Sequence, residues 1–108
     1  MADKMFCSVQ ALIENHSDEL LLVGADSESA GGLIYSLPGG RIDYGESPEE
    51  SLEREIEGET GLEAEPESPF DMYQYYRGED SSGPEVVVTV WETDWEGEVG
   101  IDSTHAQE

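Results

Sequence analysis

Apolar and polar residues alternate near the start of the chain, and this alternation predicts a half-buried first strand. The apolar side chains fall on every second position, at Cys7, Val9, Ala11 and Ile13. Turn-forming residues follow at 15–18, and an unbroken apolar run occupies 20–23. We expect this run to pair with the first strand as a hairpin and to lie centrally in the sheet.

Residues 47–61 carry helix signals at both ends. Ser47 is a preferred capping residue, Pro48 suits the first helical position, and Glu50 is placed to close a capping box. Gly61 easily adopts the left-handed conformation that is common just past a helix C-terminus. The sequence therefore predicts a helix between these two signals.

The predicted helix has one apolar stripe and an edge that carries carboxylates. Leu52 and Ile56 are four residues apart, so they share the face that packs on the rest of the protein. Glu55 and Glu59 are also four apart. Their face is centred only about 60° from the apolar stripe, so we expect both carboxylates at its edge. Three other glutamates are expected to face solvent: Glu50, Glu53 and Glu57.

Three further strands are predicted along the chain. A short one at 33–37 leads into the glycine-containing turn at 38–40, where close backbone approach favours glycine. The other two lie at 70–76 and 85–91. The polar residues 77–84 join them and predict an exposed hairpin loop.

Three polar segments are not assigned to strands or helices. Residues 26–32 form a predicted loop, and 63–69 are acidic, contain proline and have too few apolar residues to assign. Residues 94–108 are polar, and nothing after residue 100 indicates a helix.

The charge balance is extreme, with 27 Asp and Glu against 4 Lys and Arg, a formal net charge of -23 and a sequence pI near 4.1. At low ionic strength such a charge destabilises the compact state, and high salt screens it. We therefore expect a protein from a high-salt cytoplasm. Disorder of the whole chain is the alternative, but the apolar strand runs argue against it.

The same charge limits the partners that the protein can bind. Duplex nucleic acid and anionic membranes are not expected, because no basic patch could neutralise phosphates. Small phosphorylated substrates remain compatible if a metal bridges the two negative partners. Cys7 is the sole cysteine, which rules out an internal disulfide, and a small buried apolar role is expected for it. Without a signal peptide or an apolar membrane span, the expected location is the cytoplasm.

The segment 40–62 resembles the Nudix box. That pattern is Gly, five residues, Glu, seven residues, Arg-Glu, an apolar residue, any residue, Glu-Glu, any residue, Gly and an apolar residue. The matching positions are Gly40, Glu46, Arg54, Glu55, Ile56, Glu59, Gly61 and Leu62. Gly58 departs from the pattern, because it stands where the first Glu of the pair belongs. The preceding Leu-Pro-Gly-Gly run at 37–40 also resembles the family's lead-in.

The length of 108 residues indicates a single domain over residues 1–108. The resemblance implies that this domain has an α/β fold, an α/β/α sandwich around a mixed β-sheet. Family members usually continue with another strand and a second helix. Since residues after 100 do not indicate such a helix, we expect this chain to be truncated or unusually short.

The resemblance also implies roles for individual residues. Glu55 and Glu59 fall on metal-ligand positions, and Gly39 on the glycine whose carbonyl can complete the site. Glu46 and Arg54 fall on positions that brace the loop and orient the helix carboxylates. Glu55 is in addition a candidate general base. Clustered carboxylates suit a hard cation, so Mg²⁺ is the expected metal, with Mn²⁺ as an option.

Arg41 is a further candidate, on grounds independent of the resemblance. It is one of four basic residues and follows the glycines closely enough to touch a phosphate. Pairing with Asp43 or Glu46 as an ordinary surface charge is an equally good interpretation. Five strand aromatics, any of which could stack on a base or belong to the core, are Tyr73, Tyr75, Tyr76, Trp91 and Trp95. An additional acidic ligand could come from Glu92, Asp94, Glu96, Glu98 or Glu108.

The resulting hypothesis is a Mg²⁺-dependent hydrolase that cleaves the pyrophosphate link of a nucleoside diphosphate joined to another group. ADP-ribose, oxidised nucleoside triphosphates, dinucleotides and nucleotide sugars all remain open as substrates, and so does homodimer formation. Because Gly58 removes a carboxylate, a catalytically impaired nucleotide-binding module is the alternative. An acidic interaction or cation-buffering protein is a second alternative, based on composition alone.

Overall fold

The computed structural model describes residues 5–27, 32–77 and 83–98. In chain order the elements are β1 (Met5–Leu12), β2 (Val23–Ser27), β3 (Gly32–Ser36), β4 (Gly39–Arg41), α1 (Pro48–Thr60), β5 (Glu63–Tyr76) and β6 (Glu85–Glu96).

Four of the strands form a mixed sheet in the order β4-β1-β6-β5. β1 pairs antiparallel with β4 and parallel with β6, and β5 pairs antiparallel with β6. β2 and β3 form a separate antiparallel pair. The mixed sheet and the α/β class agree with the sequence prediction. Within the described ranges α1 is the sole helix, and the segment 99–108, on which the expected truncation depends, lies outside them.

The predicted second strand at 20–23 was wrong in both its extent and its partner. The chain does reverse at the predicted turn, where the Asn15 amide nitrogen donates to the Glu19 carbonyl oxygen at 3.0 Å. Pairing with the first strand then stops after one bridge, between Glu14 and Leu20. Only one leucine of the run faces the core: Leu21 is 7% exposed, whereas Leu20 is 47% and Leu22 36% exposed. β2 begins at Val23 and pairs with β3, so β6 takes the central place beside β1.

The unassigned segment 63–69 is the first half of β5, a 14-residue strand. The pairing with β6 shifts register between Pro66 and Ser68 and again between Pro69 and Asp71. Proline cannot donate to a ladder, and bulges accommodate it, which is why a segment with two prolines still forms a strand at the sheet edge. β6 likewise continues to Glu96, beyond the predicted end at residue 91.

The helix is as predicted. The hydroxyl of Ser47 accepts from the Glu50 amide nitrogen at 3.1 Å, and the Glu50 carboxylate accepts from the Ser47 amide nitrogen at 2.9 Å. Gly61 follows the helix in the left-handed conformation, with φ of 80°. Its amide nitrogen donates to the Glu57 carbonyl oxygen at 2.9 Å. Local signals therefore fix both ends of α1.

The apolar stripe of α1 is the centre of the core. Leu52 and Ile56 are fully buried. They cluster with residues of the turn after β1, of the sheet and of the chain after the helix: Val9, Ala11, Ile13, Leu21, Leu62, Ala64 and Trp91. Full burial of one such side chain stabilises the fold by about 1.5–3 kcal/mol, so this contact fixes the helix on the sheet.

The helix covers only the second half of β1. Burial on that strand begins at Val9, and Met5 and Cys7 on the same face are exposed. The prediction that Cys7 is a buried apolar residue was therefore wrong, because the strand extends beyond the part that α1 covers. In the part of the chain that the structure describes, no helix is long and apolar enough to cross a membrane.

Candidate functional site

The candidate site lies where α1 meets the outer edge of β4. In the ladder with β1, Ala11 donates to the Pro38 carbonyl oxygen and Ile42 donates to the Cys7 carbonyl oxygen, both at 2.9 Å. Bonded positions alternate in an antiparallel pair, so Gly39 and Arg41 direct their backbone groups away from β1. This leaves one N–H and one C=O of each residue at the sheet edge, next to the helix.

Both predicted metal-ligand carboxylates lie at this edge. The Glu59 carboxylate accepts from the Gly39 amide nitrogen at 2.9 Å. The Glu55 carboxylate lies against Gly40, where any side chain would collide with it. Glu55 and Glu59 are both half-buried, whereas Glu53 and Glu57 are exposed, so the predicted helix faces are confirmed.

Gly39 itself cannot be replaced without moving the sheet. Its φ is 155°, and a Cβ atom there would overlap the Val9 carbonyl oxygen and lie 2.8 Å from the Gln10 Cα. The side chain is therefore missing for two reasons, backbone conformation and close approach of β1. The structure brings the N–H of Gly39 to the site, and the predicted role of its carbonyl stays a prediction.

Arg54 joins the loop after β4 to the carboxylate edge. Its guanidinium holds Glu46 through two bonds, Nε to Oε2 at 2.8 Å and one terminal nitrogen to Oε1 at 2.9 Å. Its other terminal nitrogen donates to the Glu55 carboxylate at 2.7 Å. A planar guanidinium suits such a two-bond grip, since its donors lie in a fixed fork. The structure thus joins Glu46 and Arg54 by direct hydrogen bonds, and the bracing roles that the resemblance implies for them stay a prediction.

Two residues that sequence reasoning did not place in the site complete this network. Asp43 approaches Arg54 at 3.4 Å, and its amide nitrogen donates to the Glu46 carboxylate at 3.0 Å. Ser51 is fully buried, and its hydroxyl donates to the Arg41 carbonyl oxygen at 3.3 Å, as Arg54 also does. The helical spacing of Ser51 with Leu52 and Glu55 was the available signal for it, because all three are on the sheet-facing side of α1.

The ion pair changes the acidity of both partners. The Arg54 guanidinium, helped by the backbone N–H of Asp43, lowers the pKa of Glu46 to about 2. The Glu46 and Glu55 carboxylates raise the pKa of Arg54 above its ordinary value. Glu46 therefore stays ionised, and its charge and that of Arg54 are fixed across the physiological range.

Glu59 has the opposite shift. Burial raises its pKa to about 7, the negative charge of Glu55 adds to the rise, and the hydrogen bond from Gly39 opposes it. A half-buried carboxylate next to another carboxylate holds its charge poorly unless a cation is near. The edge of α1 thus concentrates negative charge that has no cationic partner among the described residues beyond Arg54.

The side chain of Arg41 does not join this group. Its guanidinium carbon lies 3.9 Å from the centroid of the Phe6 ring, a cation–π contact. Arg41 pairs with Ser8, so both project to the sheet face opposite α1. Neither Asp43 nor Glu46 pairs with it: in the described ranges both contact Arg54 instead. The phosphate contact predicted for Arg41 stays a prediction.

Gly58 stands on α1 where the family pattern has a carboxylate, and it is exposed. A Cβ atom at this position would meet no atom within 4 Å. In the described residues no group of three or more Asp, Glu, His or Cys side chains is placed to hold a metal. The candidate set is therefore the pair Glu55 and Glu59 with backbone groups of β4.

The other candidates from the sequence are aromatic residues, which could stack on a base, and additional acidic ligands. Trp91 is a core residue at 9% exposure, and the indole nitrogen of Trp95 donates to the Glu14 carbonyl oxygen at 2.8 Å. The Tyr73 hydroxyl donates to the Gln10 side chain at 2.9 Å. Of the five acidic residues considered as additional ligands, Glu108 lies outside the described residues.

The comparisons with known proteins all indicate the same family. The model of the NUDIX domain matches residues 7–108. Over 92 residues the chain is 32% identical to an 8-oxo-dGTP diphosphatase of Escherichia coli, covering 81% of this chain and 65% of the relative. It is also 32% identical to a putative ADP-ribose pyrophosphatase of Bacillus subtilis, over 68% of this chain and 37% of the relative.

Solved structures share the fold. The solution structure of the E. coli ORF135 protein superposes with a TM-score of 0.81 at 25% identity, covering 97% of this chain and 71% of that one. The chain spans less than two thirds of the length of the two sequence relatives above. Nudix hydrolases generally use divalent metal ions, which is consistent with a paired-carboxylate edge.

Proposed function

Since this chain belongs to the NUDIX domain family, we propose that it is a hydrolase that cleaves the pyrophosphate link of a nucleoside diphosphate derivative. The observation that carries the proposal is the pair of half-buried carboxylates, Glu55 and Glu59, on the helix edge beside the glycines of β4. An ordinary acidic surface helix would expose all its glutamates. Here two of them are half-buried and turned to the backbone edge of β4.

The donor set of this edge fits a hard divalent cation. Both side chains offer carboxylate oxygens, the ligand type that Mg²⁺ prefers, and Mn²⁺ accepts the same atoms. Burial and the charge of Glu55 raise the pKa of Glu59 to about 7, and a cation between the two groups would relieve their repulsion. We propose Glu55 and Glu59 as ligands, with the Gly39 carbonyl as a third. The chemistry that such a cation supplies is polarisation of a phosphoryl oxygen and activation of water.

The chain's own residues position the reaction. Arg54 holds Glu46 and Glu55 together, which fixes the loop against the helix. The oxygen of Glu55 that Arg54 does not hold lies against Gly40, and we propose Glu55 as the general base as well as a metal ligand. In the reaction a water oxygen attacks one phosphorus, its proton passes to Glu55, and the bridging P–O bond breaks to release two phosphorylated products.

The proposed substrates follow the names of the relatives. Those names include 8-oxo-dGTP diphosphatase, 8-oxo-dGDP phosphatase and putative ADP-ribose pyrophosphatase. We therefore place 8-oxo-dGTP, 8-oxo-dGDP and ADP-ribose first in a panel of nucleoside diphosphate derivatives. Dinucleotides and nucleotide sugars complete it.

The test measures product release from this panel in molar KCl with Mg²⁺ or Mn²⁺. Glu59→Gln is expected to lower turnover at least about 100-fold, since changes in metal-supporting groups alone cost 10–100-fold. Glu57→Gln is the matched control, because it makes the same chemical change on the exposed side of the same helix. Equal turnover of wild type and Glu59→Gln on every active substrate would contradict the proposed site.

Gly58 supports a second candidate function, a nucleotide-binding module without turnover. Only two carboxylates are gathered on the helix edge, and no third group joins them within the described residues. Calorimetric titration with the panel would identify this case through nucleotide binding without product release. Turnover that Glu59→Gln abolishes would reject it.

A further inference from the structure

β5 lies at the edge of the four-stranded sheet opposite β4, and its outer side has no partner strand among the described residues. At 14 residues it is the longest strand of the sheet. Exposed edges of this length are templates for pairing with another chain, and proteins usually protect them with proline, bulges or charge.

The protection of β5 is confined to its first half. Pro66, Pro69 and both register shifts precede Asp71. From Asp71 to Tyr76 the pairing with β6 is regular, and this stretch contains no proline and one charged residue, Asp71 itself. The second half therefore presents a straight, nearly uncharged edge in a chain whose formal net charge is -23.

The hydrogen-bond pattern shows which backbone groups face outward. Arg77 donates to the Pro84 carbonyl oxygen at 3.0 Å, so position 77 is bonded toward the neighbouring hairpin strand. Because bonded positions alternate, 71, 73 and 75 also face β6, whereas Met72, Gln74 and Tyr76 direct their N–H and C=O groups outward. The Met72 amide nitrogen accordingly donates to the carboxylate of its own neighbour, Asp71, at 2.8 Å.

Large apolar side chains are exposed on both faces of the same stretch. Met72 is 65% and Tyr76 50% exposed on the face that carries α1. On the other face Tyr73 is 43% and Tyr75 46% exposed, with their rings stacked at a centroid distance of 6.3 Å. A partner strand along the edge would cover part of all four.

The sequence of this stretch is complementary to itself in antiparallel register. If Gln74 of one copy lies opposite Gln74 of another, Tyr73 faces Tyr75, Met72 faces Tyr76, and Asp71 faces Arg77. Residues directly opposite each other lie on the same face, so aromatic pairs and opposite charges meet across the strands. The outward-facing positions 72, 74 and 76 of each copy also coincide, which is the requirement for their N–H and C=O groups to bond.

We propose that two copies of this chain pair through residues 71–77 of β5, antiparallel about a two-fold axis at Gln74, joining their four-stranded sheets into one. A two-fold interface uses the same patch on both subunits, and the self-complementary register satisfies that condition. The large negative charge of each copy opposes the association, and salt screens it. Dimer formation therefore increases with KCl concentration.

The experiment is sedimentation velocity on the full chain, from micromolar concentrations to about 1 mM in molar KCl, because small interfaces are commonly weak. We expect a concentration-dependent monomer–dimer equilibrium. Gln74→Pro removes an outward N–H without touching a bond to β6, so it should abolish the dimer and keep the fold. Gln74→Ala is the matched control, and circular dichroism of each variant checks its fold.

A charge exchange tests the register itself. Arg77→Asp places Asp opposite Asp twice, and is expected to weaken dimerisation at least about tenfold. Asp71→Arg does the same with two arginine pairs, and the double variant Asp71→Arg/Arg77→Asp should restore the wild-type dissociation constant. The dimer's loss in each single variant and recovery in the double variant would support the proposal even if Gln74→Pro failed to fold.

Three results would overturn the inference. A monomer at every concentration and salt level would show that the edge does not pair with a second copy. A dimer unaffected by Gln74→Pro would place the interface elsewhere. A dimer that both single charge variants weaken but the double variant does not restore would reject the Gln74-centred register.

Discussion

The two edges of the four-stranded sheet differ in what contacts their outward backbone groups. At the β4 edge, the outward N–H of Gly39 is held by Glu59, and the outward carbonyl of Arg41 accepts from Ser51 and Arg54. At the β5 edge, the outward groups of 72, 74 and 76 face no described strand or helix. The difference follows from chain order, because α1 comes directly after β4 and can return over it, whereas no described helix follows β5.

The acidic side chains of this protein therefore have two different roles. Most of the 27 Asp and Glu residues provide surface charge, whereas a few at the β4 edge are ordered by backbone donors and Arg54. Order at that edge depends on close backbone approach and on one arginine. Changes there should therefore cost more than comparable changes at exposed loop positions.

The largest effect is expected at Gly39, where β4 approaches β1. Gly39→Ala would place a methyl group against the Val9 carbonyl and Gln10, and we expect a loss of roughly 3 kcal/mol in unfolding free energy from strain and displaced pairing. Urea unfolding in molar KCl measures it.

Gly45→Ala is the control for that substitution. Gly45 also has a positive φ, of 88°, but an added Cβ there meets nothing within 4 Å. Its cost should be limited to the backbone term of about 1–2 kcal/mol. Equal destabilisation by the two variants would show that the contact of β4 with β1 is not what requires Gly39.

The next largest effect is expected from Arg54→Lys, which keeps the charge but loses the two-bond grip on Glu46. We expect turnover to fall about 10–100-fold, as for other residues that orient metal ligands. The pKa of Glu46 should also rise from about 2 toward its ordinary value, because the Arg54 hydrogen bonds are the largest cause of its lowering. NMR titration of the Glu46 carboxyl group measures this second effect. An unchanged pKa of Glu46 in Arg54→Lys would show that the two-bond contact does not set it.

A substantial part of this picture was available in the sequence. Ser47, Glu50 and Gly61 defined both helix ends, because caps are local interactions between residues close in the chain. The spacing of Glu55 and Glu59 placed their carboxylates at the correct edge of the helix. The same kind of local reasoning could not place Asp43 or Ser51, whose partners depend on how the loop after β4 folds back.

The errors concern contacts between elements that are distant in the chain. The run at 20–23 has the composition of a central strand, yet of its three leucines only Leu21 is buried. β6, from the other end of the sequence, occupies the place beside β1. Cys7 was expected to be buried from its position in an alternating strand, but burial on β1 begins only at Val9. Alternation predicts a strand's faces and leaves open what covers them.

The pKa values of Glu59 and Glu46 are shifted in opposite directions, which predicts opposite dependences of stability on pH. In the folded protein the pKa of Glu59 is raised to about 7, above the ordinary 4.5. Between pH 4.5 and about 7, unfolding therefore releases a proton from Glu59. The contribution of Glu59 to stability falls as the pH rises through this range. Glu46, with its pKa lowered to about 2, stabilises the fold above pH 4.5 and loses that contribution as the pH falls toward 2.

Glu59→Gln isolates the first of these contributions. Measured in metal-free molar KCl, its unfolding free energy should decline less between pH 4.5 and 7 than that of the wild type. Glu57→Gln, on the exposed side of α1, should keep the wild-type profile. Parallel profiles for wild type and Glu59→Gln would show that the β4 edge does not hold this carboxylate in a buried, proton-retaining state.

The smallest effect on stability is expected at Gly58, and two substitutions separate its consequences. Gly58→Ala should raise the unfolding free energy by about 1 kcal/mol, since glycine is a poor residue inside a helix and the added methyl group meets nothing within 4 Å. It should leave Mg²⁺ affinity unchanged, because it adds no ligand.

Gly58→Glu gains the same backbone benefit but adds a negative charge to a chain already at -23. Its stability in metal-free buffer should therefore lie below that of Gly58→Ala. With Mg²⁺ that order should reverse, as the third carboxylate joins Glu55 and Glu59 and raises both metal affinity and turnover. Calorimetric Mg²⁺ titration of the two variants measures the difference. Equal affinities would mean that position 58 does not face the carboxylate edge, and that the two glutamates at the β4 edge set the metal affinity without it.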